Sequence, residues 1–182
     1  MHKPRIIFFD IDGTLIDMEK KRITEQTLDA LRRLQQNGIL LAIATGRSPL
    51  IVPKFDGVEF DEVSRGEVFQ LLMGCRESDW PAILKGTSGA KIAAWWDRAV
   101  DIIPTSGGKG AGIRKVLAHY SLTKEDAMAF GDGNNDIEMF QAVGHSVAMG
   151  NASADLKAIA SEVCRPCAED GIYHYCKENG LI

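Results

Sequence analysis

The chain of 182 residues is 45% hydrophobic and 25% charged, with a formal net charge of −4, which is typical of one globular domain or of one core domain with a small insert. Its lysines and arginines are scattered, which argues against a nucleic acid partner, and its apolar runs fall far short of the roughly 20 residues of a membrane span. The apolar run behind the basic N-terminus is too short for a signal peptide. We therefore expect a cytoplasmic protein, a monomer or a homodimer, without a membrane partner.

The first part of the chain predicts a strand, a helix and a second strand. Residues 5–9 form a short apolar run that is typical of a buried strand. Thr24 is a predicted N-cap, and the apolar stripe of the helix behind it ends at Asn37-Gly38. Residues 39–44 again have the pattern of a buried strand.

Residues 54–104 interrupt this pattern. Strand-like segments are predicted at 68–75, 91–96 and 99–103, with a short helix at 80–85. The last two strands are joined by a tight turn at Asp97-Arg98, which indicates an antiparallel hairpin. We interpret residues 54–104 as a small α+β insert, called the cap below.

The alternation of strands and helices returns behind the cap. Helices are predicted at 109–120, 135–142, 154–160 and 172–178, and strands at 127–130, 146–149 and 162–164. Such units favour a parallel sheet with helices on both faces, a Rossmann-like α/β fold. We therefore expect residues 1–53 and 105–182 to form one core domain.

Acidic side chains follow two predicted strands of the core. Asp10 and Asp12 come directly behind the first strand, and Asp132 and Asp136 follow the strand at 127–130. Because open parallel sheets bind ligands beyond the carboxyl ends of their strands, we expect these carboxylates to meet in one crevice. Four such groups cannot all stay ionised unaided, and Mg²⁺ suits oxygen ligands with open positions. The acids therefore predict magnesium, and magnesium among carboxylates indicates a phosphate ester.

Donors for phosphate oxygens are predicted at two further places. Thr45 and the backbone N–H of Gly46 follow the second strand and open a predicted helix. Lys109 lies among glycines at the start of another helix and supplies a cation. Taken singly, each motif is ambiguous, since Asp-Gly is common in turns and a lone lysine is most often a surface residue.

Four motifs in order carry a resemblance to a known family. They are Asp10-Ile-Asp12-Gly-Thr14, Ala44-Thr45-Gly46-Arg47, Lys109-Gly110 and Gly131-Asp132-Gly-Asn-Asn-Asp136. Together they resemble the signature motifs of the haloacid dehalogenase (HAD) superfamily. Val100-Asp101-Ile-Ile-Pro104 and Glu169-Asp170-Gly171-Ile172 are similar to its Cof-type subgroup of sugar-phosphate phosphatases, which carry an α/β cap.

The resemblance implies catalytic and metal-binding roles. Asp10 would be the nucleophile that forms an aspartyl-phosphate, and Asp12 would be the general acid and then the general base. Mg²⁺ would be held by the carboxylate of Asp10, the backbone carbonyl of Asp12 and Asp132. Asp136 would bind the metal through water or orient Lys109, with Asn135 nearby.

The resemblance also implies how the phosphoryl group is held. Thr45, Gly46 and Lys109 would stabilise the charge that develops on its equatorial oxygens. Arg47 is a further candidate contact to the substrate or its phosphate. The sequence thus predicts a Mg²⁺-dependent phosphatase for small phosphorylated metabolites, with sugar phosphates first.

The cap departs from the pattern of the similar proteins. In those proteins a core strand ending in Asn-Gly and a larger cap follow the second motif, whereas here residues 55–62 run almost directly into residues 65–70. The cap is therefore expected to have lost its first half, and the sequence leaves open whether a core strand is lost as well. Two alternatives stay open: a phosphomutase or phosphotransferase on the same core, and a non-catalytic regulatory protein.

Cys164 and Cys167 have the CxxC spacing of zinc and redox sites. A zinc site would want a second pair of ligands, and only Cys176 and His174 lie nearby. A redox site would be expected at a helix start in a thioredoxin-like unit, which this context does not resemble. We therefore expect ordinary reduced thiols.

Overall fold

The structure, a computed structural model, describes residues 3–47, 53–58, 71–96 and 98–182. The start of the predicted strand at 68–75, Asp97 of the predicted turn and the helix expected directly behind Gly46 lie outside these ranges. For four strand residues, Leu71, Leu72, Trp95 and Trp96, only the backbone is described. Within the described ranges, no helix is long and apolar enough to cross a membrane.

The described strands and helices alternate through the core as the sequence predicts. The strands are β1 (Ile6–Phe9), β2 (Leu40–Ile43), β3 (Leu71–Met73), β4 (Ala90–Trp96), β5 (Ala99–Pro104), β6 (Ala127–Gly131), β7 (His145–Ala148) and β8 (Glu162–Val163). The α-helices are α1 (Glu25–Gln36), α2 (Trp80–Ile83), α3 (Lys109–His119), α4 (Ile137–Ala142), α5 (Ala154–Ile159) and α6 (Gly171–Glu178).

Five strands form one parallel sheet in the order β2-β1-β6-β7-β8. The strand β1 lies between β2 and β6, and its side chains are fully buried. The crossover through α1 leads from β1 to β2, whereas the crossover through α4 leads from β6 to β7 in the opposite direction along the sheet. Because such crossovers are right-handed, the two helices cover opposite faces. The predicted α/β class is confirmed.

Local signals explain where the first helix begins. The side chain of Thr24 accepts a hydrogen bond from the backbone N–H of Thr27, which makes it the N-cap of α1 as predicted. The apolar stripe of α1 is buried against the sheet at Leu28, Leu31 and Leu34. These contacts fix the chain between the two strands that carry the first two motifs.

One predicted helix begins later than expected. The segment predicted from residue 135 starts with a single 3₁₀ turn at Asn134–Asp136, and α4 begins only at Ile137. Oδ2 of Asp136 accepts hydrogen bonds from the backbone N–H groups of Asp132 and Gly133, at 2.9 and 3.1 Å. This folds the end of β6 into a tight turn before the helix.

The described residues of the cap include a three-stranded antiparallel sheet in the order β3-β5-β4. The predicted hairpin is the pair of β4 and β5. The cap is tied to the core by an ion pair between Lys91 of β4 and Glu138 of α4, whose Nζ and Oε1 atoms are 2.5 Å apart. In addition, β4 lies against the turn at Asn134–Asp136. The small sheet therefore lies at the edge of the core where the four motifs were predicted to meet.

Candidate active site

The central strand delivers Asp10 to the carboxyl edge of the sheet. Phe8 and Phe9 are 1% and 0% exposed. The ring of Phe9 stacks on that of Phe130 in β6, with the ring centroids 5.5 Å apart. The backbone N–H of Asp10 donates to the carbonyl of Phe130. Because β6 ends at Gly131, Asp132 emerges beside Asp10. Parallel pairing of two neighbouring strands thus brings these two carboxylates together.

Lys109 lies at the centre of the acidic group. Its Nζ atom is 2.6 Å from Oδ1 of Asp10 and 2.5 Å from Oδ1 of Asp136. The side chains of Lys109 and Asp10 are 8% and 10% exposed, and that of Asp136 is fully buried. Burial by itself would lower the pKa of Lys109, but the two carboxylates outweigh it and raise the pKa. The lysine is therefore a fixed positive charge.

Asp10, Asp132 and Asp136 form a cluster of carboxylates whose oxygens lie within 4.8 Å of one another. Burial is the main cause that raises the pKa of Asp10 to about 6, and the negative charge of Asp136 adds to it. The pKa of Asp132 is raised to about 7, first by burial and then by repulsion from Asp10 and Asp136. One lysine therefore does not balance the negative charge of the cluster, and the site favours a further cation.

Asp12 points to a different partner. Both oxygens of its carboxylate accept hydrogen bonds from Arg47, from Nε at 2.8 Å and from an Nη at 2.5 Å. The side chains of this pair remain 38% and 30% exposed, and the hydrogen bond with Asp12 is the main cause that raises the pKa of Arg47. Asp12 is thus held at the open rim of the crevice by a bidentate ion pair with Arg47.

The second motif lies on the neighbouring strand, at the same edge. The backbone N–H of Ala44 donates to the carbonyl of Phe9, so the chain leaves β2 beside Asp10. Oγ1 of Thr45 accepts a hydrogen bond from the backbone N–H of Arg47 at 3.1 Å, and Gly46 is exposed. The fold therefore gathers the residues of all four motifs at one edge.

Asn135 lies in the turn that follows Asp132. It is half-buried, and its Oδ1 atom occupies the space beside Gly133, 2.5 Å from where a Cβ atom on that glycine would lie. It thus lies in the turn between Asp132 and Asp136.

Sequence reasoning gave no role to two residues that position the first motif. Oγ1 of Thr14, 1% exposed, donates to Oδ1 of Asp132 at 3.1 Å. Nδ2 of Asn151 donates to the carbonyl of Gly13 at 2.9 Å, while its Oδ1 accepts from the backbone N–H of Cys167. The signal for Asn151 was its place behind a strand, β7, whose carboxyl end lies at the same edge of the sheet.

Gly13 is required where the first motif turns. Its φ of +81° lies in the left-handed region, and a Cβ atom there would come within 2.2 Å of Oδ2 of Asp132. Asp17, in the loop behind the first motif, is buried and accepts hydrogen bonds from the backbone N–H groups of Glu19 and Lys20. These hydrogen bonds lower its pKa and stabilise the loop.

The cysteines lie apart from this chemistry. All four are free thiols, and burial raises the pKa values of Cys164, Cys167 and Cys176 to about 12. Sγ of Cys164 packs against Sδ of Met149 at 3.6 Å. In the part of the chain that the structure describes, the group of side chains suited to a metal is the aspartate cluster, and nothing supports zinc at the CxxC segment.

The family is decided by a match to a model of haloacid dehalogenase-like hydrolases, which covers residues 7–59 and 52–176. The chain belongs to this family. The HAD-family match starts within β1 and ends in α6, so it includes all four motifs and both sheets. The predicted resemblance is confirmed.

Individual relatives and structures agree with this membership. YkrA of Bacillus subtilis is 29% identical, and the alignment covers 98% of each chain. The HMP-PP phosphatase of Yersinia enterocolitica is 28% identical, over 94% of this chain and 93% of that protein. The solved structure of a HAD subclass IIB sugar phosphatase superposes with a TM-score of 0.86 at 25% identity, covering 98% of this chain and 100% of that chain.

The comparisons also bear on the size of the cap. The family match falls into two parts that overlap over residues 52–59, at the start of the predicted cap. The alignment with YkrA extends over 255 positions, more than the 182 residues of this chain. The relative therefore has residues that this chain lacks. Both observations support the interpretation that the cap is shortened.

Proposed function

We propose that the protein is a Mg²⁺-dependent phosphatase that hydrolyses small phosphorylated metabolites through an aspartyl-phosphate on Asp10. The observation that carries this proposal is the buried ion pair of Lys109 with Asp10, beside the carboxylates of Asp132 and Asp136. This ion pair fixes the position of the Asp10 carboxylate among groups that can hold a phosphate and a cation. Membership of the HAD family and the phosphatases among its relatives support the reaction class.

The donor set of the cluster fits magnesium. It consists of carboxylate oxygens within 4.8 Å of one another. Burial, and after it the negative charge of neighbouring carboxylates, raises the pKa of Asp10 to about 6 and that of Asp132 to about 7. Hard oxygen ligands in this arrangement suit Mg²⁺, which keeps several waters. Asp10, Asp132 and the backbone carbonyl of Asp12 would hold it. When bound, the ion would supply positive charge to the phosphate oxygens.

Asp136 would act mainly as a positioning residue. Its Oδ1 atom pairs with Lys109, and its Oδ2 atom accepts two backbone hydrogen bonds from Asp132 and Gly133. With both oxygens engaged, it orients the lysine and the turn that carries Asp132. This favours the second of the two roles that the family resemblance implies for it.

The reaction would proceed in two displacements at phosphorus. A carboxylate oxygen of Asp10 forms a bond to phosphorus as the bond to the leaving oxygen breaks, and Asp12 gives its proton to that oxygen. A water molecule then attacks the phosphorus of the aspartyl-phosphate and gives a proton to Asp12. Inorganic phosphate leaves, and the carboxylate of Asp10 is restored. The position of Asp12 at the rim suits its contact with a leaving alcohol.

The transferring phosphoryl group would be held from three sides. Lys109 supplies a buried positive charge, and Thr45 and the backbone N–H of Gly46 supply donors from the end of β2. Arg47 is close enough to this edge to contact the substrate, since its guanidinium already pairs with a carboxylate there. Stabilising charge on the equatorial oxygens is the main task of such a site.

Sugar phosphates are the first substrates to test. The superposition with a HAD subclass IIB sugar phosphatase supports this class. A shortened cap would leave more of the crevice open and admit larger leaving groups. The alternative of a phosphomutase or phosphotransferase has no observation that favours it, and the assembled Asp10, Lys109 and Asp132 argue against a non-catalytic protein.

The proposal is tested by phosphate release from p-nitrophenyl phosphate and a panel of sugar phosphates, with Mg²⁺ and with excess EDTA. We expect Mg²⁺-dependent turnover in the wild type and none in Asp10→Asn. Turnover that survives EDTA would remove magnesium from the proposal. Equal turnover by Asp10→Asn would remove the nucleophile.

A further inference from the structure

The pairing of the cap strands determines which side chains share a face of the cap sheet. In the antiparallel pair of β4 and β5, Lys91 lies opposite Ile103, and Ala93 lies opposite Asp101. Residues directly opposite each other in such a pair project to the same side, and so do residues two positions apart along a strand. Lys91, Ala93, Asp101 and Ile103 therefore share one face.

This face looks toward the catalytic core. Nζ of Lys91 reaches Oε1 of Glu138 in α4. Cδ1 of Ile103 lies 3.4 Å from where a Cβ atom on Gly108 would be, directly before Lys109. The strand β4 lies against the turn that follows Asp132. The side of the cap that carries Asp101 thus covers the crevice described above.

Asp101 has an unusual environment on this face. The residue is 8% exposed, and its Oδ1 atom has no hydrogen-bond partner among the residues that the structure describes. A buried carboxylate oxygen without a donor is costly and is rarely kept without a reason. Its neighbours across the sheet are Ala93 of β4 and Leu72 of β3. These features are those of an acceptor that meets its donor on a ligand.

We propose that Asp101 is a specificity-determining residue that accepts a hydrogen bond from a hydroxyl group of the leaving alcohol. The inference rests on the proposed function and narrows its substrate class to phosphate esters of polyhydroxylated alcohols, such as sugar and polyol phosphates. The phosphate is held by the core, and the cap recognises the hydroxyl groups. A phosphate ester without hydroxyl groups leaves Asp101 unpaired, so its binding is not strengthened by a hydrogen bond to Asp101.

The kinetic test compares the wild type with Asp101→Ala and the near-isosteric Asp101→Asn. The quantity is the kcat/KM for the best sugar or polyol phosphate divided by that for p-nitrophenyl phosphate, whose leaving group carries no additional hydroxyl. We expect this ratio to fall about ten- to a hundredfold in Asp101→Ala. The fall in Asp101→Asn is smaller, because the amide oxygen still accepts. The control Glu77→Ala removes an exposed cap carboxylate and keeps the wild-type ratio.

A binding measurement separates this inference from the proposed function. In the Asp10→Asn background with Mg²⁺, calorimetry gives the Kd for glucose 6-phosphate and for inorganic phosphate, with and without Asp101→Ala. We expect Asp101→Ala to raise the Kd for glucose 6-phosphate about tenfold or more, without a matching change for phosphate. An unchanged kinetic ratio or an unchanged pair of Kd values overturns the role of Asp101. Absence of turnover by the wild type, with the binding difference intact, overturns the phosphatase instead.

Discussion

The ammonium of Lys109 lies 2.6 Å from Oδ1 of Asp10, and both side chains are about nine-tenths buried. The same ammonium pairs with Asp136 at 2.5 Å, so one cation is shared by two carboxylates from different segments of the chain. The lysine comes from the first residue of α3, and Asp10 from the end of β1. The ion pair therefore fixes a helix N-terminus against the central strand as well as orienting the nucleophile.

Removing this cation should destabilise the protein. In Lys109→Ala, Asp10 and Asp136 are left buried without their partner, and we expect a loss of about 3–5 kcal/mol in the free energy of unfolding. Urea denaturation at pH 7 without metal measures it. The matched control is Lys115→Ala, an exposed lysine of the same helix, which should change stability by no more than about 0.5 kcal/mol. Equal stabilities of the two variants would show that the buried pair contributes nothing.

The carboxylate cluster should make the metal-free protein less stable as the pH rises. Asp10 and Asp132 have folded-state pKa values of about 6 and about 7, above the ordinary value of 3.8. At pH values between 3.8 and these folded-state pKa values, the folded state binds more protons than the unfolded state. The stability that Asp10 and Asp132 contribute is therefore complete below about pH 4 and is lost by about pH 7.

The expected loss over this window is several kcal/mol, since each unit by which the pKa values of Asp10 and Asp132 exceed 3.8 corresponds to about 1.4 kcal/mol. Urea denaturation in EDTA at several pH values measures it. Asp132→Asn removes one of the two groups and should flatten the slope. A wild-type stability that rises between pH 5 and pH 7 by the same amount in both proteins would contradict the assignment.

The pair of Arg47 and Asp12 should matter most for esters with poor leaving groups. Arg47→Ala removes the side chain that orients the carboxylate of Asp12, and we expect kcat/KM for an alkyl phosphate to fall about ten- to a hundredfold because the general acid is no longer held in place. The fall for p-nitrophenyl phosphate should be smaller, because its leaving group needs little help from a general acid.

Two further variants show whether the loss comes from the geometry of the Arg47 side chain. Arg47→Lys keeps the charge but not the two-pronged geometry, and it should recover only part of the activity. Arg33→Ala removes an exposed arginine of α1 and serves as the control. Equal losses on both substrates would mean that Arg47 acts on the phosphate alone, not through Asp12.

Two glycines with similar backbones provide a matched comparison. Gly13 and Gly38 have φ values of +81° and +76°, so alanine costs roughly 1 kcal/mol of backbone strain at either position. A Cβ atom on Gly13 would collide with Asp132, whereas nothing lies within 4 Å of one on Gly38. We therefore expect both variants to be destabilised but only Gly13→Ala to lose most of its kcat. A comparable loss in Gly38→Ala would attribute the effect to instability.

The strand-end residues of the site could be predicted from the sequence because their positions follow from topology. A buried apolar run such as residues 6–9 makes a central strand, and parallel strands end at one edge. Asp10 and Asp132 therefore had to meet once β1 and β6 were neighbours. Lys109 followed from its place at the start of a helix among glycines.

The contacts between side chains could not be predicted in this way. That Arg47 pairs with Asp12, or that Asn151 holds the carbonyl of Gly13, depends on rotamers and on loops that strand periodicity does not describe. The side of the cap on which Asp101 lies follows from the register of β4 and β5, and the core-facing contact of Lys91 fixes which side is inward. Neither is visible in a pattern of apolar residues.

The central claim is that Asp10 becomes covalently phosphorylated, and trapping the phosphoenzyme tests it most directly. Asp12→Asn, which lacks the base for the second displacement, is mixed with ³²P-labelled p-nitrophenyl phosphate and Mg²⁺ and quenched in acid within the first turnover. This ester suits the test because its leaving group needs little help from the general acid that the variant also lacks. The account predicts label on the peptide that contains Asp10, in near-stoichiometric amount, and none when Asp10→Asn is added to the same protein. Release of phosphate by the wild type with no label on the protein in Asp12→Asn, or label that persists without Asp10, would contradict it.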